Sequence, residues 1–115
     1  MSKTVAIFGA GGKLGRRVLS LLAERGWPVR ALVHKTPVAG SGITSIQGSV
    51  TDPKAVEETV RGADLVVQLA TTKEDADTFF DVSVKGTFHV LEACRKQGVE
   101  QFLLLGGDAA YGIWF

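Results

Sequence analysis

The sequence of 115 residues predicts an α/β domain in which helices cover both faces of a parallel β-sheet. Five short apolar runs alternate along the chain with stretches in which apolar residues recur at helical spacing. The composition, 45% hydrophobic and 22% charged, suits one hydrophobic core and excludes a disordered tail. Crossovers between parallel strands are right-handed. Sheets of this kind bind ligands at the carboxyl ends of their strands, so we expect a ligand there.

The first half of the chain predicts three strands and one helix. Residues 4–8, 29–33 and 43–46 are short runs rich in apolar and β-branched residues, as in strands of a parallel sheet. A helix of about a dozen residues is expected between the first two strands, with Gly26 as its C-terminal stop. Its apolar positions at helical spacing are Leu14, Val18, Leu21 and Leu22.

The segment that follows the third strand predicts a second helix. Asp52 is a typical N-cap residue and Pro53 a typical residue of the first turn, while Gly62 ends the pattern. Residues 65–69 then predict a fourth, strongly apolar strand. The side of the helix that we expect to be buried carries Ala55, Val56, Thr59 and Val60.

Residues 75–97 predict a long helix that ends at Gly98, and residues 102–105 predict a fifth strand. Gly86 in the middle of this helix indicates close packing, either on the sheet or against another subunit. Cys94 is expected to be a small buried side chain. The predicted apolar side of the helix carries Phe80, Val84, Thr87, Phe88, Leu91 and Cys94.

Charge and cysteine content exclude several functional classes. Thirteen Lys and Arg residues against twelve Asp and Glu residues provide no basic surface for nucleic acid or an anionic membrane. A single cysteine forms no internal disulfide, and the sequence contains neither a signal region nor an uninterrupted apolar run of about 18 residues. The sequence therefore predicts a cytoplasmic protein without nucleic-acid or membrane partners.

The glycine-rich segment at residues 9–15 lies between the first strand and the first helix, where a phosphate-binding turn is expected. Gly9 would allow a sharp turn, Gly12 a close approach of backbone to a pyrophosphate, and Gly15 close packing of the helix. The N-terminus of the helix would offer N–H groups to the phosphates. The spacing is GxxGxxG, and the extra Gly11 allows the motif to be read in either register.

Two later segments share this motif's order and separation with a known family: DLVVQLA at 64–70, and VSVKGT at 82–87 continuing into VLEAC at 90–94. The combination resembles the extended short-chain dehydrogenase/reductase family, the NAD(P)-dependent epimerase/dehydratase group. The resemblance covers the whole chain. It implies a single NAD(P)-binding domain at 1–115, a Rossmann-type doubly wound parallel sheet with five strands in order 3-2-1-4-5.

The end of the second strand favours NADP over NAD. NAD-binding domains usually carry a carboxylate there for the ribose hydroxyls, but no Asp or Glu occurs between Glu24 and Asp52. His34 and Lys35 stand at this position, and Lys13 in the glycine loop could join them on a 2′-phosphate. NAD remains the alternative cofactor.

The resemblance also implies further cofactor contacts. Ser49 and Val50 would lie near the adenine, whereas Leu69, Ala70 and Thr71 would pass the pyrophosphate and the nicotinamide ribose. Three positions depart from the family pattern: an aspartate is common at Ser49, a histidine at Gln68 and an asparagine at Ser83. The predicted cofactor-binding residues are Gly9, Gly11, Gly12, Lys13, Leu14, Gly15, His34, Lys35, Ser49, Val50, Leu69, Ala70 and Thr71.

No catalytic residue is assigned. Enzymes of this family resemble one another in a Tyr-x-x-x-Lys pair, but the single tyrosine, Tyr111, is followed four residues later by Phe115. The resemblance would put Gly107 in the place of the family's substrate-binding Ser or Thr, and Asp108 in the place of an aspartate that dehydratases use as an acid. His89 has no partner at metal-ligand spacing, so no metal site is predicted.

The sequence of 115 residues ends in Gly112, Ile113, Trp114 and Phe115, soon after the fifth strand, and large apolar residues are unusual at a chain terminus. We therefore expect a domain that is truncated after this strand, with a small-molecule substrate bound only if the chain continues beyond residue 115.

The functional hypothesis is the NAD(P)(H)-binding part of an oxidoreductase, epimerase or dehydratase. The alternatives are a non-catalytic dinucleotide-sensing regulator and a half-domain without ligand affinity. The resemblance also suggests a homodimer through the helix at 75–97.

Overall fold

The sheet consists of five parallel strands in the order β3-β2-β1-β4-β5, which confirms the predicted fold class and strand order. The computed structural model describes residues 3–35, 38, 40–70 and 76–105. The helices are α1 (Lys13–Glu24), α2 (Pro53–Val60), α3 (Ala76–Phe79) and α4 (Gly86–Gln97), and a π-helical segment (Phe80–Lys85) joins α3 to α4. The strands are β1 (Val5–Phe8), β2 (Val29–Val33), β3 (Ile43–Gln47), β4 (Leu65–Gln68) and β5 (Gln101–Leu104).

The central strand β1 is buried on both faces of the sheet. Ala6 and Phe8 pack into a cluster formed with α2 and α4, whereas Ile7 packs with Leu19 of α1 on the opposite face. Each residue of β1 is at most 2% exposed, so burial on both faces explains why this strand reads as a continuous apolar run.

Helix α1 has the predicted length, and its buried side agrees with the predicted one in part. Gly15 and Leu19 are its buried residues, and the predicted positions Val18 and Leu22 pack beside them. Leu14 and Leu21 are 48% and 41% exposed, so these two predicted apolar positions lie outside the core. The helix packs through Gly15 because a residue without a side chain allows the closest approach to the sheet.

Helix α2 forms as predicted. The Asp52 side chain accepts a hydrogen bond from the Lys54 N–H at 3.1 Å, and Pro53 occupies the first turn. This cap satisfies one of the N–H groups that a helix start leaves without a partner. The predicted inner face, formed by Ala55, Val56, Thr59 and Val60, is buried.

The apolar side predicted for the long helix is wrong for most of its residues. Phe80, Val84, Phe88 and Leu91 are 45–59% exposed, and we call these four residues the outer stripe. The buried residues of α4 are Gly86, Val90, Ala93 and Cys94. These are mostly small, and small residues let α4 approach α2 and the sheet closely, so packing selects them over the larger apolar side chains.

The π-helical segment contributes to this error. A π-helix closes i→i+5 hydrogen bonds, so it shifts the phase of an α-helical pattern that is projected through it. The predicted helix end is confirmed, because Gly98 follows α4 in the left-handed conformation and its N–H donates to the Cys94 carbonyl. Within the described residues, no helix has the length and apolar character needed to cross a membrane.

Candidate functional site

A cleft of about 690 Å³ opens at the carboxyl ends of the strands, the edge at which the sequence predicts a ligand. The glycine loop forms one wall, and the residues after β2, β3 and β4 continue the lining on either side. Its lining residues are Gly9, Ala10, Gly11, Gly12, Lys13, Leu14, Gly15, Leu32, Val33, His34, Lys35, Gly48, Ser49, Val50, Leu69, Ala70, Thr78, Val82 and Leu105.

Two glycines of the loop are required by contacts within the chain. Gly9 has φ +87°, and a Cβ there would lie 2.7 Å from the Ala70 nitrogen. A Cβ on Gly15 would lie 1.9 Å from the Gly9 carbonyl oxygen, which is far inside van der Waals contact. The loop, the start of α1 and the turn after β4 can therefore approach this closely only because both residues lack a side chain.

The other two glycines of the loop face open space. A Cβ on Gly11 would meet no heavy atom within 4 Å, and one on Gly12 would make only an ordinary contact at 3.6 Å with the Gly9 carbonyl oxygen. Sterics within the chain therefore do not require glycine at either position. A ligand held against the loop backbone would provide the missing reason.

The N-terminus of α1 is suited to an anion. Gly12 is its N-cap and has no side chain to accept from the first N–H groups of the helix. The first turn carries no acidic residue, whereas Lys13, Arg16 and Arg17 are exposed and basic. Positive side chains at the positive end of a helix dipole are unfavourable, so an anion bound here would relieve their repulsion.

The end of β2 brings His34 and Lys35 to the cleft, with both side chains exposed. The His34 carbonyl accepts a hydrogen bond from the Gln47 side chain at 2.6 Å, which fixes this backbone against β3. Among the described residues that line the cleft, none is an aspartate or glutamate. The local charge on this side of the cleft is therefore positive.

The corner after β3 is held by two contacts from helix α4. A Cβ on Gly86 would lie 2.8 Å from a methyl carbon of Val50, so Val50 packs directly on the helix backbone. The Nδ1 atom of His89 lies 3.1 Å from the Val50 carbonyl oxygen. Gly86 thus faces the core of its own chain, which agrees with the first of the two predicted alternatives, packing on the sheet or against another subunit. Helix α4 therefore supports the wall of the cleft that Ser49 and Val50 form.

The turn after β4 depends on Gln68, which is 1% exposed. Its side-chain oxygen accepts from the Ala70 N–H at 2.9 Å, and its side-chain nitrogen donates to the Thr87 hydroxyl at 3.3 Å. The Thr87 hydroxyl in turn donates to the Ser83 carbonyl at 2.7 Å. Gln68 therefore links the backbone that touches Gly9 to the helix on the other side of β4.

All predicted site residues except Thr71 line the cleft, and Thr71 lies outside the described residues, as do Gly107, Asp108, Tyr111 and Phe115. The cleft contains residues that sequence reasoning missed. Leu32, Val33 and Gly48 could have been found from their places beside the ends of β2 and β3. Thr78 and Val82 carry no such signal, because the helix after β4 brings them to the cleft through tertiary packing.

The sequence from residue 9 to residue 112 matches the NAD(P)H-binding family model. The chain belongs to the NAD(P)H-binding family. This match agrees with the cleft, since the glycine loop, the ends of the parallel strands and the uncapped helix N-terminus meet at one edge. The predicted resemblance to the short-chain dehydrogenase/reductase family, of the epimerase/dehydratase type, is confirmed by the related proteins that the next two paragraphs describe.

Two curated relatives illustrate the family. An N-acetyl-alpha-D-glucosaminyl-diphospho-ditrans,octacis-undecaprenol 4-epimerase of Escherichia coli O157:H7 is 32% identical over 98% of this chain and 35% of its own length. A 2-alkyl-3-oxoalkanoate reductase of Shewanella oneidensis is 30% identical over 84% of this chain and 26% of its own length. This chain thus spans about a third of the length of the relatives that it matches.

Two solved structures share the fold. The enzyme WbmH of Bordetella bronchiseptica in complex with NAD⁺ has a TM-score of 0.90 and 25% identity, over 99% of this chain and 42% of that one. A short-chain dehydrogenase/reductase superfamily protein of Agrobacterium tumefaciens with bound NAD has a TM-score of 0.84 and 27% identity, over 95% and 34%. Both proteins carry NAD on a fold that matches nearly all of this chain.

The described residues contain no group of three His, Cys, Asp or Glu side chains that could hold a metal ion. Cys94 is buried against the core, and this burial raises the pKa of its thiol to about 11. At neutral pH the thiol therefore stays protonated, which is unfavourable for nucleophilic or metal-binding chemistry.

Proposed function

We propose that this chain binds NADP(H) in the cleft and forms the cofactor-binding part of an enzyme that transfers hydride to or from its substrate. The glycine loop carries the proposal, because Gly11 and Gly12 leave its backbone open and α1 begins there without a cap. The N–H groups of this first turn would hold the pyrophosphate. The nicotinamide would then supply the hydride chemistry.

The preference for NADP rests on the charge at the end of β2. His34 and Lys35 line the cleft there, Lys13 lines it from the glycine loop, and no described lining residue is a carboxylate that would repel a 2′-phosphate. The solved relatives that carry NAD point to the alternative cofactor. Measured selectivity decides between the two.

The first experiment is calorimetric titration of the 115-residue chain with NADPH and with NADH, accompanied by melting curves. We expect heat release and a higher melting temperature with both dinucleotides, and the larger effect with NADPH. If millimolar concentrations of both leave the melting temperature unchanged, the dinucleotide proposal fails and a half-domain without ligand affinity takes its place.

The charge reversal Lys35→Asp tests the selectivity. We expect it to weaken NADPH binding by about 1–3 kcal/mol, the scale of a hydrogen bond to a charged group, with little loss for NADH. Lys54→Asp is a matched control, since Lys54 is also an exposed lysine but does not line the cleft. Equal losses for both cofactors in Lys35→Asp would refute the NADP assignment.

The reaction of the whole protein extends the proposal beyond the described residues. The related epimerase and reductase favour a sugar-linked or other carbonyl or alcohol substrate for this chain as well. Sequencing the gene beyond the codon for Phe115 tests this. An open frame with a Tyr-x-x-x-Lys segment supports the enzyme, whereas a stop codon favours the dinucleotide-sensing regulator or the half-domain without ligand affinity.

We also propose that the outer stripe pairs two copies of the chain. Phe80, Val84, Phe88 and Leu91 are exposed apolar side chains that recur at helical spacing, and exposed apolar patches mark interaction sites. Sedimentation at several protein concentrations tests for the dimer. The cytoplasmic location predicted from the sequence stays a prediction, for which cell fractionation is the direct test.

A further inference from the structure

The corner after β3 contains a pair of hydroxyl groups at the wall of the cleft. The Ser49 oxygen accepts a hydrogen bond from the Thr51 N–H at 3.1 Å and lies 2.8 Å from the Thr51 hydroxyl oxygen. Either hydroxyl can be the donor in that second contact. Ser49 lines the cleft, whereas the Thr51 side chain is exposed outside it.

The polarity that Ser49 presents to the cleft is therefore adjustable. A hydroxyl has one donor and two acceptor positions, and the Thr51 N–H occupies one acceptor. If Thr51 donates to Ser49, the Ser49 proton is free to donate into the cleft. If Ser49 donates to Thr51, a lone pair of Ser49 remains free to accept, and solvent satisfies the exposed Thr51 hydroxyl.

The purine of a dinucleotide would lie at this corner. In a doubly wound sheet the ribose of the adenosine half lies at the end of the second strand, so its base reaches toward the next strand, β3. Leu32 and Val50 line the cleft there with apolar side chains that suit a base ring. Asp52, three residues after Ser49 in the sequence, does not line the cleft, and its side chain caps α2.

We infer that Ser49 makes the base site accept hypoxanthine about as well as adenine. Adenine presents an amino donor and hypoxanthine a carbonyl acceptor at the same edge of the ring. A carboxylate accepts only and would reject the 6-carbonyl of hypoxanthine, whereas the Ser49–Thr51 pair matches either 6-substituent by reversing one hydrogen bond. The inference rests on the dinucleotide binding proposed above.

The test compares affinities for two probes, NAD⁺ and nicotinamide hypoxanthine dinucleotide, by calorimetry. We expect affinities within about threefold of each other for the unmodified chain, and a preference for NAD⁺ of about tenfold or more in Ser49→Asp. Ser49→Ala is the matched control: it removes the hydroxyl without adding a charge, so it should weaken both dinucleotides and leave their ratio near one. The ratio cancels any general repulsion between the new carboxylate and the phosphates.

A tenfold preference of the unmodified chain for NAD⁺ would overturn the inference while leaving the proposed function intact. An unchanged ratio in Ser49→Asp would overturn it as well, because the side chain at 49 would then not contact the base. If neither probe binds the unmodified chain and NADPH does not bind it either, the proposed function is overturned, and the inference with it.

Discussion

The glycine loop and helix α4 both depend on residues without large side chains, yet they expose opposite kinds of surface. In the loop, Gly9 and Gly15 allow backbone segments to touch, and the surface left open is polar backbone at the start of α1. In α4, Gly86 allows close contact with Val50, and the surface left open, together with that of the preceding π-helical segment, is the apolar outer stripe.

The comparison shows that close packing on one side of an element determines what its other side offers. Exposed backbone N–H groups recognise small anionic groups through short, directional hydrogen bonds. Large apolar side chains that are exposed to water are stabilised only when a comparable apolar surface covers them. The loop is therefore suited to a small ligand, and the outer stripe to a protein surface.

The largest expected effect separates the two kinds of glycine within the loop. Gly15→Ala would place a Cβ 1.9 Å from the Gly9 carbonyl oxygen, and we expect a loss of about 3 kcal/mol in the free energy of unfolding. Gly11→Ala has open space around it and should change this free energy by less than about 0.5 kcal/mol. Urea denaturation measures both values, and equal stabilities would contradict the packing described for Gly15.

The two sides of α4 give the next largest contrast. Val90 is fully buried, so Val90→Ala should cost about 2 kcal/mol in the free energy of unfolding. Phe88 is 59% exposed, so Phe88→Glu should change the stability of the monomer by less than about 0.5 kcal/mol. If the outer stripe forms a dimer, Phe88→Glu should raise its dissociation constant, which sedimentation at several concentrations measures.

A larger loss of monomer stability from Phe88→Glu than from Val90→Ala would show that the faces of α4 are assigned wrongly. A concentration-independent monomer for the unmodified chain would remove the dimer proposal and leave the assignment of the faces untouched.

The buried side of α4 also predicts a pH dependence. Burial raises the pKa of Cys94 to about 11, whereas an unfolded thiol ionises near pH 8.5–9. Between these values the unfolded chain releases the proton and the folded chain keeps it, so stability falls as the pH rises. From pH 8 to pH 10.5 we expect Cys94 to account for a loss of about 2 kcal/mol.

The measurement is urea denaturation of the unmodified chain and of Cys94→Ala at both pH values. Other groups titrate equally in the two proteins, so the stability of the unmodified chain relative to Cys94→Ala should fall by about 2 kcal/mol between the two pH values. A difference that stays constant would contradict the raised pKa.

The smallest effect concerns the corner after β3, which α4 contacts through Gly86 and His89. Asp52 caps α2 beside the Ser49–Thr51 turn, and Asp52→Ala should cost about 1 kcal/mol in the free energy of unfolding. Asp52→Asn retains a capping oxygen and should recover most of this loss. Melting curves of the two variants provide the comparison, and equal melting temperatures would mean that the cap does not stabilise the helix.

Local signals predicted much of this architecture. The strands, the capped start of α2 and the end of α4 at Gly98 each depend on residues within a few positions of one another. The glycine loop was predictable for the same reason, since the strand, the turn and the helix that it needs are consecutive in the sequence. Contact between the predicted site residues and a dinucleotide stays a prediction.

The orientation of the long helix was not predictable from its own pattern. Apolar residues occupy both of its sides, and the π-helical segment shifts their phase. The neighbouring segments of the chain decided which side of α4 is buried. Helix α2 and Val50 lie so close that only the side with Gly86, Ala93 and Cys94 fits against them. Thr78 and Val82 entered the cleft for the same reason, because the packing of the helices places them there.

The sequence by itself therefore determined the five strands, helices α1 and α2 and the position of the phosphate-binding turn, because each follows from conformational preferences of neighbouring residues. The strand order was implied by the resemblance to a known family. Only the tertiary structure decided which side of α4 is buried, which residues of distant segments share the cleft and how Gln68 joins β4 to α4. Those features depend on distances between chain segments, and side-chain spacing along one helix or strand carries no information about them.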